Sequence, residues 1–151
     1  MDCPCKTATG ACTLEGCCIA VGERLAGFWL DHCRKYHARR INQAEALAIV
    51  RRYRRRGHVT QAFFKVATGG GTGVICNCCP DCCVSLQATA AARALDPALT
   101  MNAPAGYRVI HDPERCTACG QCATFCHFDA VWWENGQRHH IQTRCMGCEL
   151  C

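Results

Sequence analysis

The sequence predicts an α+β protein built from two small modules: an α-rich, cysteine-rich module over residues 1–95, followed by a smaller α+β module over residues 107–151. Helical periodicity dominates the first two thirds of the chain, whereas the last third holds short β-like runs and an Asn-Gly turn. Between the two modules, DPALTMNAPAG (96–106) has the proline and small residues of a linker. A chain of 151 residues is long enough for one domain or two small ones.

Cysteine is the most unusual feature of the composition, with 18 of 151 residues. Without it the apolar fraction falls to about 38%, which is low for a self-sufficient core. Such a cysteine content indicates either a disulfide scaffold or metal sites. MDCPCKTATGACTLEGCC does not resemble a secretory leader, and no apolar run is long enough to span a membrane. We therefore expect a cytoplasmic protein whose thiols are reduced and free to bind metal.

The strongest helical signal is INQAEALAIVRRYRRRG (41–57). Asn42 is a good N-cap, Glu45 three residues later completes a capping box, and Gly57 suits the position just past the helix end. A second helix is predicted over 18–38, where Val21, Leu25, Phe28 and Trp29 recur at helical spacing.

The remainder of the first module predicts a strand, a turn and a helix. HVTQAFFKV (58–66) is β-like, TGGGTG (68–73) is a turn, and VSLQATAAARAL (84–95) is helical until Asp96 and Pro97 stop it. The glycine turn lacks the Lys-Ser or Lys-Thr of a phosphate loop, so nucleotide binding is not supported.

In the second module, YRVIHD (107–112) and AVWW (130–133) are predicted strands. The Asn-Gly turn in ENGQR returns the chain as HHIQT (139–143). Trp132 and Trp133 are expected to shield a metal centre from water.

Two cysteine runs in this module have matching spacing, CTACGQCATFC (116–126) and CMGCELC (145–151). The C-x2-C-x2-C spacing lets a tight loop wrap three thiolates around one iron-sulfur cube. Zinc fits poorly, because it prefers pairs separated by a knuckle. These residues resemble bacterial two-cluster ferredoxins, although His127 replaces the usual proline.

The ferredoxin resemblance covers 107–151 and implies the ferredoxin fold, two 4Fe-4S clusters and one-electron transfer. The implied ligands are Cys116, Cys119, Cys122, Cys126, Cys145, Cys148 and Cys151. In the two-cluster arrangement, Cys126 would join the three cysteines of the second run. The first run would then lack a fourth ligand, expected four positions after Cys151, so we expect this module to be truncated, as a fragment of a longer protein.

The first module has eleven further cysteines. We expect a second metal centre there, iron-sulfur or zinc, on Cys3, Cys5, Cys12, Cys17, Cys76, Cys78, Cys79, Cys82 and Cys83. The stretch ARRINQAEALAIVRRYRRRGHV (38–59), followed by ICNCCPDCC (75–83), resembles a domain that precedes ferredoxin modules in some bacterial iron-sulfur proteins, a likeness that implies no particular activity. The doubled cysteines are also similar to the cysteine-rich domain of heterodisulfide reductases, although the spacing differs.

Basic residues are concentrated between Arg34 and Arg56, which hold nine of the 17 lysines and arginines. The helix ending in Arg51 to Arg56 presents either a solvated face or a docking surface for an acidic redox partner. The net charge of +5 would be largely cancelled by anionic clusters, so it is weak evidence for nucleic acid, which is not expected as a partner.

The sequence thus predicts an iron-sulfur electron-transfer protein or oxidoreductase subunit that relays single electrons to or from a partner oxidoreductase. One alternative is a redox enzyme subunit, with a catalytic metal centre in the first module that the ferredoxin module supplies with electrons. A zinc-stapled interaction module is the weaker alternative.

Overall fold

The computed structural model describes residues 1–10, 12, 16–64 and 70–151. By its backbone contacts the chain divides into a first unit, Met1–Cys83, and a second unit, Val84–Cys151. The predicted linker, 96–106, lies within the second unit, as does the helix that precedes it. Nowhere in the described ranges is a helix both long and apolar enough to cross a membrane.

The first unit combines helices with an antiparallel sheet whose strand order is β1-β3-β2. Its elements are α1 (Pro4–Thr9), β1 (Cys18–Ala20), α2 (Glu23–His32), α3 (Gln43–Arg54), β2 (Val59–Phe64) and β3 (Thr72–Cys78). The chain as a whole is α+β, but the mainly helical description of this part is not confirmed, because three strands join the helices.

Helix α3 confirms the prediction made from its capping residues. The Asn42 side chain accepts from the Glu45 N–H at 2.9 Å, and the Glu45 carboxylate accepts from the Asn42 N–H at 3.1 Å. Gly57, just past the end, adopts φ 78°, a left-handed conformation that glycine tolerates best. The capping box therefore satisfies two backbone N–H groups at the helix start with residues three positions apart, which is why sequence alone located this element.

The continuous helix predicted over 18–38 is wrong in its first part. Cys18–Ala20 form β1, and the helix itself runs only from Glu23 to His32. Gly22 stands at φ 85° between the two elements, so the chain turns there. Strand β1 exists because β3 lies beside it, with Cys18 opposite Cys76.

Strand β2 confirms the β-like run as far as Phe64, while residues 65–69, which include the end of that run and the start of the glycine turn, lie outside the described part of the chain. The buried Asn77 of β3 ties these segments together. Its Nδ2 donates to the Cys17 carbonyl at 2.9 Å, and its Oδ1 accepts from the Thr60 hydroxyl at 3.2 Å. One amide thus links β2, β3 and the residue that precedes β1.

The interior of the first unit is made largely of sulfur. Its buried apolar residues are Ile19, Tyr53, Val59 and seven cysteines, namely Cys3, Cys17, Cys18, Cys78, Cys79, Cys82 and Cys83. All 18 cysteines lie in the described part of the chain, and all are free thiols there. A core of small thiols supplies little apolar area, so this unit depends on something besides hydrophobic burial for its stability.

The second unit contains α4 (Val84–Leu95), α5 (Gln121–Thr124), β4 (Val131–Glu134) and β5 (Gln137–His140). The predicted helix over 84–95 and the predicted hairpin are confirmed, the latter with Asn135 and Gly136 both at positive φ (51° and 75°), as a type I′ turn requires.

The strand predicted over YRVIHD (107–112) is wrong. This segment has no strand structure, and Ile110 is 88% exposed. β-like composition does not suffice without a neighbouring strand or a surface to bury the apolar side chains. The segment instead follows Ala105, whose N–H donates to the Met146 carbonyl at 2.9 Å.

Arg93 of α4 secures the interior of the second unit. Its Nη1 donates to the Phe128 carbonyl at 2.6 Å, and its Nη2 donates to the Arg144 carbonyl at 3.2 Å. The guanidinium carbon also lies 5.7 Å from the centre of the Phe128 ring. Helix α4 is thereby connected to the segments that precede β4 and the second cysteine run.

Candidate metal centres

The two cysteine runs of the second unit have the same backbone pattern. In the first, Ala118 (φ 54°) and Gly120 (φ 73°) flank Cys119; in the second, Gly147 (φ 66°) and Glu149 (φ 59°) flank Cys148. Left-handed residues at equivalent positions turn successive N–H groups towards a common side, which creates the concave anion-binding loops typical of iron-sulfur sites. The conformation is adopted even by Ala118 and Glu149, for which it is unfavourable.

The thiols of the first run border a cavity of about 370 Å³. Cys116, Cys119, Cys122 and Cys151 line it, together with Trp133 and the basic residues Arg115 and Arg138. The Gln121 N–H and the Thr117 side chain hydrogen-bond to Cys119 and lower the pKa of its thiol. A cavity with four thiols and two guanidinium groups suits an anionic iron-sulfur core.

The thiols of Cys126, Cys145, Cys148 and Cys151 are close enough to influence one another electrostatically. Burial raises the pKa values of Cys148 and Cys151, and repulsion from the other thiols raises them further. The Ala130 N–H donates to the Cys126 sulfur at 3.3 Å. Cys151 is therefore a member of the four-thiol set expected from the sequence, and it also lines the cavity of the first run.

The tryptophans of the hairpin have different environments. Trp133 forms part of the cavity wall. Trp132 is 36% exposed and stacks on His139, with 5.2 Å between the ring centres.

In the first unit, Cys3, Cys17 and Cys18 form a buried group whose sulfur atoms all lie within 4.8 Å of one another. The Cys76 sulfur is 3.5 Å from that of Cys18, across the β1–β3 pair. Cys3 directly precedes α1, and Cys17 and Cys18 are consecutive, so the group draws on two segments of the chain, with Cys76 of β3 adjacent.

A second group consists of Cys12, Cys79 and Cys82, also with all sulfur atoms within 4.8 Å of one another. The Cys79 and Cys82 sulfurs are 2.8 Å apart, in the turn that follows β3. Cys12, near the N-terminus, thus lies with two cysteines of ICNCCPDCC. The sequence predicted a single centre, whereas the described residues form two groups of thiols.

The remaining cysteines of the first unit have other positions. Cys78 hydrogen-bonds to Cys76 and Cys83, and the Gln61 amide approaches the Cys83 sulfur at 3.8 Å. Cys5 packs against the buried cluster around Tyr53 and belongs to neither group. Cys18 was absent from the predicted ligands, although its adjacency to Cys17 was a signal that could have included it.

Hydrogen bonds among these thiols favour ionisation at particular sulfurs. The thiols of Cys17 and Cys18 donate to Cys3 and lower its pKa to about 2. Those of Cys18 and Cys78 lower the pKa of Cys76 to about 4. The same hydrogen bonds raise the pKa of Cys18, which donates to Cys76. Because thiolate is the form that binds metal, a metal bound here would displace the protons that these thiols share.

Comparison with known families places these observations in context. Residues 109–132 match the model of a family described as a 4Fe-4S binding domain. The matched segment contains the whole first run, from Cys116 to Cys126. No curated protein and no solved structure matches the chain. The second unit therefore contains a ferredoxin-type iron-sulfur module, and an electron-transfer role follows in general terms.

Proposed function

Because residues 109–132 belong to a ferredoxin-type module, we propose that the chain is an electron-transfer protein or oxidoreductase subunit that relays single electrons to or from a partner oxidoreductase. The observation that carries the proposal is the repeated loop geometry: two cysteine runs with left-handed residues at the same positions, the first inside the family match. Iron-sulfur clusters supply one-electron chemistry when bound.

Two 4Fe-4S clusters are part of this proposal. Cys126, Cys145, Cys148 and Cys151 would hold one, and Cys116, Cys119 and Cys122 would be three ligands of the other, whose cavity Cys151 also lines. The protein's own contribution is electrostatic and steric. Arg115 and Arg138 line the cavity and would offset part of the anionic charge of a cluster, against one carboxylate at Asp112, and Trp133 forms part of the wall.

The first test is the metal content of the full chain, purified without oxygen. We expect iron, inorganic sulfide and an electron paramagnetic resonance signal of a reduced 4Fe-4S cluster. Cys122→Ser should remove iron and alter that signal, because Cys122 lies in the matched module and lines its cavity. Cys33→Ser is the matched control, since Cys33 belongs to neither thiol group. Iron-free protein would refute the proposal.

A docking role for the basic helix completes the proposal. Arg51, Arg52, Arg55 and Arg56 are all exposed, and the guanidinium carbons of Arg52 and Arg56 also lie 5.0 Å and 5.9 Å from the centre of the Tyr53 ring. These exposed guanidinium groups are the candidate contact with an acidic redox partner, and Arg51 is chosen for the test because it is not one of the two that lie over Tyr53.

The docking test compares Arg51→Glu with Arg24→Glu, an equal charge change at an exposed site on α2. Electron exchange with an acidic redox protein should slow for Arg51→Glu at low salt, and the difference should shrink as salt is added. Equal rates for both variants would dismiss the helix as the docking surface.

A redox enzyme subunit is the second candidate, and the group of Cys12, Cys79 and Cys82 favours it. A metal held by three protein ligands can keep a position open for substrate, as catalytic sites do. The test is to add candidate small-molecule substrates and record spectra. A substrate that changes the spectrum of metal bound in the first unit, and leaves the signal of the ferredoxin-type module unchanged, would support this candidate.

A further inference from the structure

Lys6, in the middle of α1, is a lysine in an unusual position. Only 3% of its surface is exposed, and among the described residues its Nζ has no hydrogen-bond partner. Its one direct favourable contact is with Tyr53, whose ring centre lies 5.3 Å from Nζ. Lysine is almost never buried so completely unless its charge is compensated.

The surroundings of Lys6 indicate what compensates it. The Lys6 ammonium lies over Tyr53, which is buried in one cluster with Cys3, Cys17 and Cys18. Burial lowers the pKa of the ammonium, but negative charge at Cys17, Cys12, Cys79 and Cys82 raises it overall. These sulfurs come from both thiol groups of the first unit, which have no member in common. The buried cation is thus within electrostatic range of each group.

The charge balance of such groups is simple. A zinc ion and the core of an oxidised 4Fe-4S cluster each carry a charge of about +2. Three thiolate ligands therefore leave a net charge of about −1 on the centre, and four leave about −2. Two such centres inside one small unit repel each other and are costly to bury. A buried ammonium near both offsets part of that cost.

We propose that the first unit holds two separate centres for thiophilic metal, one on Cys3, Cys17 and Cys18 with Cys76 adjacent, the other on Cys12, Cys79 and Cys82, and that Lys6 is their shared counter-charge. The metal class is set by the ligands, because thiolates select zinc or iron-sulfur clusters. The inference shares with the second candidate function the premise that the first unit binds metal. It is independent of electron transfer by the second unit.

Substitution of one cysteine from each group tests whether there are two centres. Iron, zinc and sulfide are counted in the anaerobic full chain for Cys17→Ser, Cys79→Ser and the double variant. Each single variant should lose a different part of the metal, and the double variant should lose the sum. Equal losses in all three variants, with native circular dichroism, would show one shared centre, and no loss would show none.

Lys6 variants keep the inference testable even where a cysteine variant fails to fold. Lys6→Met should lower the metal affinity of both groups by about 10- to 100-fold, measured by competition with a chelator. This is the loss typical when a residue that interacts with the metal ligands, but does not bind the metal itself, is replaced. Lys6→Arg, which keeps the charge, should retain more affinity. Wild-type affinity in Lys6→Met, or weakening at one group only, would overturn the shared role.

The second unit provides the internal reference in every variant. Its iron and its paramagnetic signal should remain constant while the first unit loses metal. If the second unit contained no iron but the first behaved as described, the electron-transfer proposal would fail and this inference would stand. The reverse result would remove this inference alone.

Discussion

Gly147, between two cysteines of the second run, offers a sharp test of the loop geometry. Its φ is 66°, and a Cβ added there would lie 2.7 Å from the Tyr107 carbonyl oxygen, closer than real Cβ atoms come to another heavy atom. Gly106 is the matched control, because its φ is 81° but a Cβ there would meet nothing within 4 Å. Gly106→Ala thus reports conformational strain alone, whereas Gly147→Ala adds the collision with backbone.

The magnitudes follow from these contacts. A left-handed alanine costs about 1–2 kcal/mol at either position. The collision at Gly147 adds about 1–3 kcal/mol, as overpacking does where the neighbouring atom is backbone and cannot rotate away. For a unit the size of Val84–Cys151, each kcal/mol corresponds to about 4–8 °C in melting temperature. Gly147→Ala should therefore melt at least about 5 °C below Gly106→Ala.

The assay is thermal loss of visible cluster absorbance in the iron-loaded full chain under anaerobic conditions, with ellipticity recorded in parallel. Both variants should melt below wild type, with Gly147→Ala the lower. Equal melting temperatures would refute the close packing of the second run against Tyr107. A Gly147→Ala protein as stable as wild type would also refute the left-handed backbone at this position.

Three further predictions concern the first unit. Asn77→Ala should lower the free energy of unfolding of the first unit by about 1–3 kcal/mol in anaerobic urea titrations, because the Cys17 carbonyl loses a buried hydrogen-bond donor. An unchanged urea midpoint would contradict the link between the strands. The hydrogen bond with His37 lowers the pKa of the Asp2 carboxyl, so the ionised carboxylate stabilises the fold above its ordinary pKa of 3.8, and this stabilisation is lost as pH falls through the folded-state pKa. Asp2→Asn should therefore make the free energy of unfolding depend less on pH in the acid range. An unchanged pH profile would argue against the Asp2–His37 pair. Asn42→Ala should cost about 1 kcal/mol through loss of the N-cap, measured by the same titration; a neutral result would mean that the capping box contributes nothing.

Features encoded by a few neighbouring residues could be predicted from the sequence. The capping box at Asn42 and the Asn135-Gly136 turn each depend on residues at most three positions apart, and both are confirmed. The cysteine spacing of the first run is likewise local, and it located the module that the family match identifies.

Features that depend on distant partners could not be predicted. Strand β1 requires the pairing of Cys18 with Cys76, 58 positions away, which no local pattern specifies. The segment 107–112 has strand composition, but no strand in the described part of the chain pairs with it. The separation of the thiols into two groups depends on how the sheet and the turn after β3 place them, so a cysteine count alone suggested a single centre.

The sulfur-rich interior of the first unit ties its architecture to its redox state. Oxygenation of a buried thiol such as Cys17 or Cys82 would introduce a polar, often charged group into an interior that is almost closed to solvent. Exposure to air would consequently dismantle the scaffold itself, and restoring a reductant afterwards would not suffice once the irreversible oxidation states were reached.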